Sequence, residues 1–192
     1  MERARIAILA SGNGTNAEAI MKHFAKSNDI SIVLLLSNNP NAYALERARK
    51  FGVATQVFSR EEFRSASSVL QTLEQYGVTH IVLAGFLLLV PPSIIKVFPD
   101  RIVNIHPALL PRYGGKGMYG ERVHQAVKAA GDQVTGITIH LVNEKFDDGK
   151  ILFQASCPVL VTDTPEQIAE KVHRLEHQHF PGMIEKWVLD QA

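Results

Sequence analysis

The sequence contains one cysteine, Cys157, so it cannot form an internal disulfide. The disulfide framework of a small secreted domain is excluded. Cys157 sits in the apolar run ILFQASCPVLV and reads as a small packed hydrophobe. Long apolar runs are missing as well. The N-terminal MERARIAILASGNG has basic residues but only five consecutive apolar ones. That is short for a signal-peptide core, and no stretch approaches the roughly 18 apolar residues of a membrane span. The expected compartment is the cytoplasm, with no membrane contact. Charge of one sign is not in excess: 20 Lys and Arg against 19 Asp and Glu leave a net +1. A strong sequence-independent grip on nucleic acid is therefore not expected. Repeats, low-complexity tracts and linkers are absent. With 192 residues, 46% of them hydrophobic, the expectation is a single domain over 1–192 with a proper core.

What is present alternates. Apolar strands are expected at 5–10, 30–37, 53–58, 79–85 and 101–106, and helices at 15–27, 40–52, 59–77 and 91–98. Ser59 and Glu62 form the capping box of the third helix. Near-continuous apolar strands separated by amphipathic helices imply a parallel sheet covered on both faces, a doubly wound α/β fold. Beyond residue 115 the pattern changes. A helix near 119–130 precedes strands at 135–142 and 150–161, and only the eight residues NEKFDDGK separate these two. That connection is short for a helical crossover, so the pair is expected to be antiparallel and the second half of the sheet mixed. The last helix should begin near Thr164-Pro165 and bend or break before Pro181.

Three segments carry candidate chemistry. LASGNGTNAEAI puts a glycine-rich turn between the first strand and helix, where free backbone N–H groups bind phosphate. Gly12 and Gly14 fit a dinucleotide fingerprint with Ala17 at its third position, but Ser37, Asn38 and Asn39 stand where its acidic ribose ligand belongs. No Gly-Lys-Ser/Thr of a Walker A loop follows. The bland alternative is a tight turn with Thr15 or Asn16 as helix cap. In RIVNIHPALLPRYGGKGMY, Asn104 and His106 share one strand face at the sheet edge, and Pro107 and Pro111 stiffen the exit. An Asn and a His aimed at one point stabilise an oxyanion and move a proton, the equipment for acyl transfer. Finally, NEKFDDGK offers Glu144, Asp147 and Asp148. A carboxylate facing His106 would favour its imidazolium and orient the ring, though the residues alone leave Asp147 and Asp148 as alternatives.

SGNGTN, LAGF, NIHPALLPRY, TGITIHLVNEKFDDG and EHQHFP occur in that order, and together they resemble the glycinamide ribonucleotide formyltransferases over residues 5–188. The NIHPALLP segment is similar to one shared by formyltetrahydrofolate-using transferases in general, and SGNGTN narrows the resemblance. It implies a Rossmann-like formyltransferase fold, with a phosphate-binding half (1–106) and a folate and catalytic half (107–192). It also implies formyl transfer from 10-formyltetrahydrofolate to 5-phosphoribosylglycinamide without a metal, by a monomer or homodimer. The implied catalytic residues are Asn104, His106 and Asp147, the last from the family's Asp-x-Gly pattern. Gly14, Thr15 and Asn16 would hold the ribonucleotide phosphate, and Glu176 would meet the glycinamide amino end. The folate would lie along Leu87, Leu88, Leu89 and Val90, be met by Asn143, Glu144, Lys145, Phe146 and Asp147, and receive help from Arg60. The chain departs from the family at Leu88, where many members carry a basic residue. YGGKGMYGERVH is longer and richer in glycine than the common pattern, and His124 within it is not carried over.

Other readings compete. HRLEH puts His173 and His177 on one helix face, as in an inverted zincin motif, but it lacks a clear third ligand. Relatives that formylate methionyl-tRNA or hydrolyse formyltetrahydrofolate carry an additional domain, which is not expected in these 192 near-neutral residues. A non-enzymatic phosphate- or folate-binding module would make His106 structural.

Overall fold

Alternation along the first strand sets the layering. Ile6 and Ile8 belong to one core and Ala7 and Leu9 to another, all at most 2% exposed. A strand buried on both faces must lie in the middle of a covered sheet. In the computed structural model, which describes residues 3–191, the chain runs β1 (Ala4–Leu9), α1 (Thr15–Phe24), β2 (Ile30–Ser37), α2 (Tyr43–Lys50), β3 (Ala54–Val57), α3 (Arg60–Ser65), α4 (Ser67–Gln75) and β4 (His80–Leu83). It continues through α5 (Pro92–Val97), β5 (Ile102–His106), α6 (Glu121–Ala130), β6 (Val134–Leu141), β7 (Ile151–Pro158) and α7 (Pro165–Leu189).

The seven described strands form one sheet in the order β3-β2-β1-β4-β5-β6-β7. β1 to β5 pair in parallel, and β6 and β7 add antiparallel pairs. Helices α1, α2, α6 and α7 pack on one face and α3, α4 and α5 on the other. This is the single-domain α/β architecture, parallel then mixed, that the sequence pattern implies. The chain winds outward from β1 to β3 and then returns to β4, so the direction switches between β1 and β4. Ligands of open α/β sheets bind beyond the strand ends at such a point. None of the described helices is long and apolar enough to cross a membrane.

Three expected helices differ in detail. The segment 59–77 is two helices, because Ala66 adopts a left-handed conformation (φ 64°) and caps back onto Glu62. On one straight helix Phe63 and Val69 would point about 120° apart. The break lets both enter the same core. The second helix begins at Tyr43 rather than at Pro40, because the Asn39 side chain captures the Asn41 N–H and forms a local turn. The last helix runs unbroken through Pro181. Proline removes one backbone hydrogen bond there, but Phe180, Pro181 and Ile184 are all buried, and that packing holds the helix together.

The two helices whose N-cap is a hydroxyl residue, α3 and α7, carry capping boxes, Ser59 with Glu62 and Thr164 with Gln167. Thr164→Ala deletes the acceptor for the Gln167 N–H. It is expected to lower unfolding stability by about 1 kcal/mol in urea titrations.

Candidate active site

The ends of β1, β4 and β5 converge with the loop between β6 and β7 around a cavity of about 630 Å³, a size suited to small-molecule ligands. After β1 the chain turns through Gly14, which has φ 75° and caps α1 with no side-chain acceptor. Glycine is required at this position: a Cβ would lie 2.5 Å from that of Ala44. Neither Thr15 nor Asn16 is the cap, so the first N–H groups of α1 have no side-chain acceptor and line the cavity at Gly14, Thr15 and Asn16. Arg47 clamps the loop from behind, donating to the Asn13 carbonyl and side chain and pairing with Glu18.

Beyond β4, Leu87, Leu88 and Leu89 line the cavity, and the Leu87 N–H donates to Ser11 Oγ of the glycine loop. Leu87 is 47% and Leu89 41% exposed, which leaves apolar surface on the cavity wall for a ligand to cover. Arg60 and Phe146 also line this space. Val90 is turned into the core, and Asn143, Glu144 and Lys145 are not among the lining residues. Their loop folds on itself, with Asn143 accepting from the Lys145 N–H and donating to Asp148.

β5 delivers Asn104 and His106, and the antiparallel register puts His140 of β6 directly across from Asn104. His140 Nδ1 faces the Leu141 carbonyl at 2.8 Å and must donate to it. Its Nε2 then accepts from Asn104 Nδ2 at 3.1 Å, which fixes the orientation of that amide. The second Asn104 N–H points to Asp147 Oδ1 at 3.5 Å. Asp147 Oδ2 lies 3.5 Å from His106 Nδ1 and accepts from the Gly115 N–H at 2.9 Å. The structure therefore puts Asp147 against His106, while the side chain of Asp148 is 54% exposed and faces Lys145. Asp147 is held left-handed at φ 53°. The loop passes so close to β6 that a Cβ on Gly149 would overlap the Leu141 carbonyl oxygen.

Burial is the largest influence on His106 and pushes its imidazolium below the ordinary value, while Asp147 and the Tyr113 carbonyl offset it only in part. Asp147 thus favours the imidazolium, as expected, but burial outweighs it. For Asp147 burial alone would raise the carboxyl, but contacts with His140, His106 and the Gly115 N–H hold it below its ordinary value. Glu176 behaves in the opposite way. It is 5% exposed and is pushed up by burial, with Asn16 and His177 opposing. Its carboxylate accepts from Asn16 Nδ2 at 2.9 Å, and Asn16 Oδ1 is buried without a partner.

Sequence reasoning missed His140, whose signal was its place two residues after Thr138 on a strand that could pair with β5. It also missed the far wall, formed by Gly115 to Gly120, Arg122, His124 and His173. His124 has a buried Nδ1 with no partner. His173 lies across from it, with ring centroids 6.4 Å apart. No cluster of three metal-ligating side chains occurs among the described residues.

Burial, then His173 and His106, push His124 down to about 4 from an ordinary 6.5. The unfolded chain therefore binds the proton first as pH falls. Stability is fully present above pH 6.5 and is lost on going down toward 4. The contribution is on the order of 3 kcal/mol. His124→Leu should flatten that part of the pH–stability curve in denaturant titrations across the same range.

The formyl transferase family model matches residues 4–184. The chain is 40% identical to the chloroplastic phosphoribosylglycinamide formyltransferase of Arabidopsis thaliana, over 95% of its own length and 64% of the plant protein's. It thus spans less than two thirds of that relative. It is 33% identical to the phosphoribosylglycinamide formyltransferase of Bacillus subtilis (strain 168), over 95% of this chain and 93% of the other. The crystal structure of phosphoribosylglycinamide formyltransferase from Brucella melitensis superposes with a TM-score of 0.86 at 37% identity, covering 97% of this chain and 96% of that one.

Proposed function

The chain belongs to the formyl transferase family, and on that premise we propose that it moves the formyl group of 10-formyltetrahydrofolate to the amino group of 5-phosphoribosylglycinamide in de novo purine biosynthesis. The observation that carries this reading is the convergence of Asn104, His106 and Asp147 in a cavity that also opens onto the glycine loop. The N–H groups at Gly14, Thr15 and Asn16 suit the ribonucleotide phosphate. Glu176, joined to that loop through Asn16, contacts the glycinamide end of the same substrate. Leu87, Leu88, Leu89 and Phe146 form an apolar wall for the folate ring, backed by Val90 from the core, with Arg60 as a counterion for folate carboxylate. Asn143, Glu144 and Lys145 frame the rim. Residues 1–106 thus contribute the phosphate loop and the leucine wall, and residues 107–192 the acidic loop and Glu176. The catalytic unit is a cytoplasmic monomer or homodimer.

The amine nitrogen attacks the formyl carbon and forms a C–N bond, and negative charge gathers on the formyl oxygen. Asn104 Nδ2 donates to that oxygen. The attacking nitrogen, now positive, releases a proton to Nδ1 of the neutral form of His106, which burial favours. The imidazolium that results is stabilised by Asp147 and donates to the oxyanion. The proton then passes, directly or through water, to the folate nitrogen. The bond from that nitrogen to the formyl carbon breaks, leaving N-formyl product and tetrahydrofolate. Alignment of two substrates in one cavity supplies much of the rate, and no step requires a metal or an acyl-enzyme. Burial raises the Cys157 thiol, the opposite of what a nucleophile needs.

Single-turnover mixing with both substrates tests this reading. N-formyl product and tetrahydrofolate should appear in equal amounts. Tight binding of both without product would leave a binding module instead. Asp147→Asn should lower turnover at least about a hundredfold, while Asp148→Asn should stay within about threefold; the reverse order would sink the assignment of roles. His106→Ala should remain folded by circular dichroism and lose activity.

A further inference from the structure

Outside the cavity, three side chains surround the point where the chain leaves the histidine segment. Tyr113 is a non-glycine residue in the left-handed region, at φ 57°, a conformation that persists only where surroundings hold it. Its hydroxyl donates to Asp132 Oδ2 at 2.7 Å. The Arg112 guanidinium donates to the other Asp132 oxygen at 3.0 Å and lies 5.1 Å from the centre of the Tyr113 ring. Asp132 stands at the start of the loop into β6, next to the Gly131 cap of α6. None of the three lines the cavity.

The Tyr113 carbonyl nevertheless reaches His106, lying 2.7 Å from Nε2. A carbonyl oxygen only accepts, so Nε2 must carry the proton. Nδ1 is then the nitrogen that faces Asp147 and the reacting groups. Other groups facing His106 are His140 from β6 and His124 from α6. The tautomer is therefore set from outside the cavity, through a backbone carbonyl whose own placement depends on a side-chain clamp.

We propose that Arg112, Tyr113 and Asp132 form a positioning device for His106, holding the Tyr113 carbonyl so that Nε2 remains the donor and Nδ1 points at the reaction. The catalytic weight of His106 rests on the formyl-transfer reading; the clamp itself rests on geometry. The hydroxyl of Tyr113, rather than its ring, is the anchor, and an acceptor at position 132 is what it requires.

The test uses the full chain labelled with ¹⁵N-histidine, with the His106 signals identified by their loss in His106→Gln. Wild type should show Nε2 as the protonated nitrogen. Tyr113→Phe keeps the ring and the carbonyl but removes the anchor, and should give a mixture of tautomers at His106. It should also lower kcat about tenfold, with both KM values within about twofold. Asp132→Ala should reproduce this, and Asp132→Asn, which retains an acceptor, should restore the wild-type signature. Unchanged His106 signals in both Tyr113→Phe and Asp132→Ala would overturn the clamp, as would a rise in KM at constant kcat. The spectra need no substrate, so they decide the clamp even if wild type fails to transfer formyl.

Discussion

β5 and β6 pair antiparallel, with Asn104 opposite His140 and His106 opposite Thr138. A slip of one residue would turn every β6 side chain to the other face. Asn104 would then lose the ring nitrogen that orients its amide. The exit from His106 would lose Thr138, whose hydroxyl accepts from the Leu110 N–H at 3.0 Å and donates to the Ala108 carbonyl at 2.7 Å. The register is guarded on both sides. Ile137 and Ile139 are at most 1% exposed. Gly136 runs so close to the Ala155 carbonyl that any side chain would collide with it. Packing of an apolar face thus decides where a polar, reactive face stands.

Within the cavity two carboxylates are driven in opposite directions. Asp147 is surrounded by donors and stays ionised below its ordinary range, whereas Glu176 is buried with few partners and is pushed toward its neutral form. Such separation allows one cavity to hold a charged and a neutral carboxyl together. The Asp147 carboxylate occupies the point on which Asn104, His106 and the Gly115 N–H converge. Under the proposed mechanism a substrate oxyanion would share these donors by small movements, since the contacts at 3.5 Å are long.

Much of this framework was legible in the residues. The eight-residue run ISIVLLLS matches β2 end to end, because a strand buried on both faces needs no polar alternation. The Ser59–Glu62 box marks its helix start in sequence and structure alike. Boundaries that depended on packing were not legible. The break at Ala66 serves Phe63 and Val69 together, and the unbroken passage through Pro181 rests on burial that local propensity does not contain. At the site, Asn104 and His106 were readable because they share a strand and lie two residues apart. His140, Tyr113 and Asp132 were not, since each acts through a partner 7 to 36 residues away.

The sequence by itself determined the α/β alternation, the glycine turn at the end of the first strand, and the presence of an asparagine, a histidine and an acidic loop able to meet. Those properties follow from local periodicity and from residue types, which need no partner to be read. Only the tertiary structure decided that Asp147 rather than Asp148 faces His106, that His140 fixes Asn104, and that the ring proton of His106 sits on Nε2. Each of these depends on distances across the sheet. A register and a loop path set them, and both arise from the packing of the whole core.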